Sequence, residues 1–148
     1  MDLKALQLSQ LFLRFALGVS FLSAVADRFG FWGQPGTAGV SWGNWQNFVN
    51  YSNSLNSFVP EKIGGLLAIV ATVLEIALGI LLILGFKTKQ VAIISGILLF
   101  SFAFMMTLNI GIKAPFDYSV WTGVGASFLL STLPFYNYSL DYLIAKKD

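Results

Sequence analysis

Neither cysteine nor histidine occurs anywhere in the 148 residues. Their absence excludes thiol–disulfide exchange, imidazole ligation of haem and the usual zinc and copper donor sets, so no protein-borne metal or haem is expected. Any redox chemistry must run through something bound. Charge is scarce as well: charged side chains make up 11% of the chain, against about 25% in a soluble domain. Nine basic and seven acidic residues, net +2, are scattered in ones and twos. That distribution leaves no electrostatic footprint for nucleic acid.

What the sequence does have is apolar length. Hydrophobic residues are 56% of the total, and a bilayer-spanning helix needs about 20 mostly apolar residues. Four such runs are present, at about 6–29, 63–86, 89–112 and 119–135, the last being the shortest. The pattern predicts an all-α, four-helix transmembrane bundle forming one integral membrane domain over residues 1–148. An Ala24-Val25-Ala26 site after the first run imitates a signal-peptide cleavage signal. Arg14 inside that run argues for a retained helix instead. Lys4, Lys87, Lys89, Lys146 and Lys147 would fall on one membrane surface and Arg28, Lys62 and Lys113 on the other. The richer surface is normally cytoplasmic, which predicts both termini inside and the long first connection outside.

Glu75 lies near the middle of the second run, with no charge for eleven residues on either side. An ionisable group at that depth is a functional candidate. Ala71 and Gly79 share its helix face and would let another helix come close. At a rise of 1.5 Å per residue, Arg14 lies about 15 Å from the level of Lys4 and Glu75 about 18 Å from that of Lys87. The two depths predict an Arg14–Glu75 ion pair, either a clasp between helices or part of a ligand cavity. On the first helix, Ala16, Ser20 and Ala24 form a small-residue stripe suited to close packing, while Arg14, Gly18, Val25 and Arg28 occupy another face.

The connection 30–60 opens with a glycine-rich segment and then shows a weak helical period in Trp45, Phe48, Val49 and Leu55 opposite Asn47, Asn50, Asn53 and Ser54. It predicts a short amphipathic helix in the outer interface, with Trp32, Trp42 and Trp45 at headgroup depth, serving as an anchor or covering a pocket between helices. Asp117 and Trp121, before and within the fourth run, should share the outer level with Asp27, Arg28, Glu61 and Lys62. Such a cluster is either a solvated rim or the mouth of a site. Asn109 is placed to hydrogen-bond across helices, and the aromatic segment 135–142 reads as an anchor at the inner interface.

Two motifs carry a resemblance. Arg14-Phe15-Ala16-Leu17-Gly18 precedes a helix closed by Arg28, and Leu74-Glu75-Ile76-Ala77-Leu78-Gly79 is followed by Leu84-Gly85-Phe86-Lys87-Thr88-Lys89. Over about residues 6–133 the chain resembles the DoxX family of small four-helix bacterial and archaeal membrane proteins. That family is similar to the large membrane subunit of thiosulfate:quinone oxidoreductase, and some members are implicated in membrane-bound oxidoreductase assemblies that handle oxidative stress. The resemblance implies a bacterial inner-membrane protein and a role in quinone-linked redox for Arg14, Arg28 and Glu75. A quinone entering from lipid near the outer interface would meet Asp27, Arg28, Asp117, Trp42, Trp45 and Trp121. Electrons would have to come from a partner membrane or redox protein, and self-association stays open. The other reading is a non-catalytic accessory subunit of a membrane complex. A small solute carrier is weaker, because four helices without an evident inverted repeat offer little machinery for alternating access.

Overall fold

Apolar runs punctuated by glycine, proline and lysine become helices in the computed structural model, which describes residues 3–146. In chain order these are α1 (Leu3–Arg28), α2 (Trp45–Leu55), α3 (Glu61–Leu84), α4 (Thr88–Asn109), α5 (Lys113–Asp117), α6 (Val120–Ser131) and α7 (Leu140–Ala145), with no strand among the described residues. α1, α3 and α4 are long and apolar enough to cross a membrane. The fourth apolar run departs from expectation. Ser119 sits in the left-handed region at φ 55°, so α6 begins only at Val120, and it stops at Ser131, shortly before Pro134. Its 12 residues rise about 18 Å, short of a full crossing.

α1 packs along α3, and α4 along α6; contacts between α3 and α4 and between α1 and α6 close the four into a ring. α2 lies across one end of that ring, over α1, α3 and α4. Leu17 and Phe21 of α1 meet Leu78 and Leu82 of α3, Val91 and Ala92 of α4 and Leu130 of α6 in the apolar core. The outward flanks carry exposed Leu66, Ile69, Val70, Ile94, Ile97 and Phe100. Such a surface suits hydrocarbon rather than water.

The tightest helix crossing is at Gly18 and Gly79. A Cβ on Gly18 would come within 2.8 Å of the Gly79 carbonyl oxygen, and one on Gly79 within 3.0 Å of the Gly18 oxygen. Backbone-on-backbone packing of this kind drives association where lipid supplies no hydrophobic force. The expected small-residue stripe is therefore corrected: Ala16 and Ser20 are exposed, and the contact runs through Leu17, Gly18 and Phe21. Gly79→Leu should separate α1 from α3 and lower the melting temperature in detergent, read by circular dichroism, far more than Ala77→Leu on the exposed face of the same helix.

At the opposite end from α2, the α3–α4 turn depends on Gly85, whose φ of 66° lets its N–H reach Leu81 O at 2.9 Å and Leu82 O at 3.2 Å. A Cβ here would also overlap Ser139 and the Arg14 guanidinium. Asp141, in the first turn of α7, caps α4: its carboxylate accepts the N–H groups of Lys87 and Thr88, both at 2.7 Å, while its own N–H donates to Gly85 O at 2.9 Å.

Candidate functional site

The buried charges fall into two separate groups, Asp27, Arg28 and Glu75 at one end of the ring and Arg14 at the other. At the α2 end, Arg28 closes α1 and turns inward toward α3. Its Nη2 forms an ion pair with Glu75, its Nη1 donates to Thr72 Oγ1 at 2.7 Å, and its guanidinium carbon lies 3.8 Å above the Phe48 ring and 5.4 Å from the centre of Trp42. Arg28 and Glu75 are 2% and 3% exposed. Two charges so far from water persist only when paired, and the two ring faces add a further attraction for the cation. One Glu75 oxygen, Oε2, takes part in this ion pair but accepts no hydrogen bond of good geometry.

Asp27, next in sequence, points the other way. Its Oδ2 accepts the N–H groups of Ser41 and Trp42 at 2.8 and 3.2 Å, and its Oδ1 that of Gly43 at 3.1 Å. Three consecutive backbone donors on one carboxylate make a strong, directional tie. That tie fixes the end of the glycine-rich loop and so sets Trp42 beside Arg28. Trp42 packs edge-on against Phe48 at 5.0 Å, and Trp45 stacks on Phe29 at 5.9 Å.

α2 is the amphipathic helix that the sequence predicts. Asn44 caps it by accepting the Asn47 N–H at 2.8 Å, and Phe48, Ser52 and Leu55 form its buried face. It covers the bundle end rather than only lying in an interface: Ser52 Oγ donates to Gly64 O at 3.2 Å, and Asn109 Nδ2 on α4 donates to Leu55 O at 2.7 Å. The cross-helix bond expected of Asn109 is thereby made. Tyr51 is partly buried beside Trp42; burial first, and then neighbouring Tyr118, push its phenol above the usual range and keep it neutral.

Arg14 belongs to the second group, so the Arg14–Glu75 pair is not formed. Its guanidinium donates to the carbonyl oxygens of Leu82 (3.0 Å) and Ile83 (2.9 Å) in the last turn of α3, and to those of Asn137 (3.2 Å) and Tyr138 (3.3 Å). Gln10 joins it through Asn137 O at 2.7 Å, and Asp141 supplies the nearby negative charge. The depth argument fails because α1 overhangs α3: Gly18 lies opposite Gly79, which puts Arg14 level with Ile83 and about 12 Å along the axis from Glu75. Lys4 therefore does not mark the same level as Lys87.

Asp117 and Trp121 are not brought to the cluster either. Asp117 pairs with exposed Lys113 one turn earlier on α5, and Trp121 packs edge-on against Phe100 of α4 at 5.6 Å. Of the residues the sequence nominated, Asp27, Arg28, Glu75, Trp42 and Trp45 converge. Thr72 and Phe48 join them without having been nominated. Thr72 lies three residues before Glu75 on the same face, a spacing that could have found it. Phe48 needed the fold of the loop. Among the described residues no group of three metal-ligating side chains occurs.

A ring of apolar helices, with paired charges held inside it, defines a multi-pass helical membrane protein. The DoxX family model matches residues 9–108, two-thirds of the chain, and the chain belongs to the DoxX family. No curated protein and no solved structure matches it.

Proposed function

We propose that this chain is the membrane-embedded subunit of a quinone-linked redox assembly, lying in the bacterial inner membrane with both termini cytoplasmic and the α2 end outside. In this reading the segment 119–135, short helix included, completes a fourth crossing. The observation that carries it is the convergence of Asp27, Arg28 and Glu75 with the aromatic faces of Trp42 and Phe48 at one end of the spanning helices. Intramembrane charges are costly and concentrate where protons or ligands are handled. With neither cysteine nor histidine in the chain, its own residues supply binding, orientation and a carboxylate. Electrons come from a partner membrane or redox protein. The cluster itself has no room for a ring, since Arg28 and Glu75 are sealed beneath α2. A quinone would meet Trp42 on the flank of the cluster and sense Glu75 through Arg28.

Glu75→Gln tests this. Turnover per folded protein, measured as quinone reduction by native membranes carrying the full chain with decylubiquinone as acceptor, should fall at least tenfold, beyond any loss of stability from leaving the buried Arg28 cation without its counter-charge. Unchanged turnover removes Glu75 from the function. A second reading, a non-catalytic accessory subunit, draws on a different observation: every charge of the cluster is partnered, as in a clasp that fastens α1, α2 and α3. It expects Glu75→Gln to lower the melting temperature and leave turnover per folded protein intact.

A further inference from the structure

A groove of about 510 Å³ opens where α2 crosses the start of α3. Gln46, Val49, Asn50 and Asn53 line it from α2, and Glu61 and Lys62 from the first turn of α3; none of them belongs to the buried cluster. Its size falls within the range of about 300–1,000 Å³ usual for small-molecule sites. We propose that it binds the head of a phosphatidylethanolamine from the leaflet at the α2 end, with the ammonium on Glu61 and the phosphate on Lys62.

The charges of the lining select the class of ligand. Glu61 and Lys62 are exposed, and neither has an ion-pair partner among the described residues. The groove therefore offers one free charge of each sign and no net charge. A ligand with a single charge gains one attraction there and meets one repulsion, whereas a zwitterion gains two attractions.

The amides select among zwitterions. Gln46 Nε2 donates to Asn50 Oδ1 at 2.9 Å, which leaves Gln46 Oε1 as an acceptor and Asn50 Nδ2 as a donor. Asn53 Oδ1 fills the space that a Cβ on Gly64 would take and accepts no hydrogen bond, so Nδ2 is the group that Asn53 can offer. The acceptors are thus a carboxylate and an amide oxygen, and the donors an ammonium and two amide NH₂ groups. A primary ammonium brings three donors and a phosphodiester brings acceptors alone, so phosphoethanolamine matches both sets. The quaternary ammonium of phosphatidylcholine has no N–H to give to Gln46.

The surface below the groove favours a lipid over a soluble phosphoethanolamine. Lys62, Leu66, Ile69 and Val73 follow one another along one face of α3, and all four are exposed. A charged groove at the head of an apolar track is the arrangement of a lipid head above its acyl chains.

The test uses the purified full chain in mild detergent, with bound lipid counted by native mass spectrometry. Phosphatidylethanolamine should be retained at least tenfold over phosphatidylcholine and over phosphatidylglycerol, and retention should fall with each methyl group added to the amine. Glu61→Gln and Lys62→Met should each cut retention at least tenfold at an unchanged melting temperature, since both side chains are exposed. Asn50→Trp, which fills the groove from another exposed position, is the further variant should either fold poorly. Equal retention of ethanolamine and choline lipids, preference for phosphatidylglycerol, or retention indifferent to these variants overturns the proposal. Competition by soluble glycerophosphoethanolamine as strong as by the lipid also overturns it, making the groove a site for a free headgroup.

Discussion

Replacing Arg28 by methionine should unfold this protein more readily than any other single change at the α2 end. The substitution leaves Glu75 buried at 3% exposure without its cation, and breaking one side of a buried pair costs about 3–5 kcal/mol. It also removes the charge held over Phe48 and the hydrogen bond to Thr72. A fall in melting temperature of roughly 10 °C in detergent is expected. The double variant Arg28→Met/Glu75→Met should recover most of the loss, because removing both charges removes the unpaired one as well. Recovery in the double variant separates a charge-pairing cost from a packing cost. A single variant that melts with the parent would show that the pair does not hold α1 to α3.

The second large effect is at the other end. Arg14→Leu should release the segment after Pro134 and open the α3–α4 turn. The guanidinium serves carbonyl oxygens from two separate stretches, Leu82 and Ile83 on one side and Asn137 and Tyr138 on the other. Hydrogen bonds from a charged donor contribute about 1.5–3 kcal/mol each, so losing even two of them costs at least about 3 kcal/mol locally. The amides to watch are those of Asp141, Lys87 and Thr88, which are protected by the Asp141–Gly85 tie and the Asp141 cap. Their hydrogen exchange should quicken about a hundredfold, in line with tenfold per 1.4 kcal/mol. Arg14→Lys should not restore protection, because an ammonium cannot span two sets of carbonyls as a planar fork does. Exchange rates equal to the parent's would show that the tail is held by something else.

These two arginines also mark where reading the chain as a sequence succeeds and where it stops. The helical membrane class follows from the sequence alone, because apolar runs of more than twenty residues have no other stable home than the bilayer. Glu75 stands out for the same reason: a lone charge deep in such a run is conspicuous whatever surrounds it. Amphipathic α2 and the reach of Asn109 across helices were legible from local periodicity and from a polar residue near a helix end. Arg28 was nominated, and the structure joins it to Glu75.

The choice of partner was not legible. Which arginine meets Glu75 depends on how far α1 slides along α3, and the Gly18–Gly79 contact settles that by letting the two backbones touch at one register only. Sequence distance from a terminal lysine measures length along one helix and not height shared between two. Likewise the tie from Asp27 to the N–H groups of Ser41, Trp42 and Gly43 joins residues fourteen to sixteen apart through a loop with no periodicity. The Asp141 cap joins residues more than fifty apart. Hydrophobic pattern determined what kind of protein this is, because burial in lipid acts on each helix separately. Tertiary structure decided which charges meet, because hydrogen bonds and ion pairs act only over a few ångströms, after the helices have found their register.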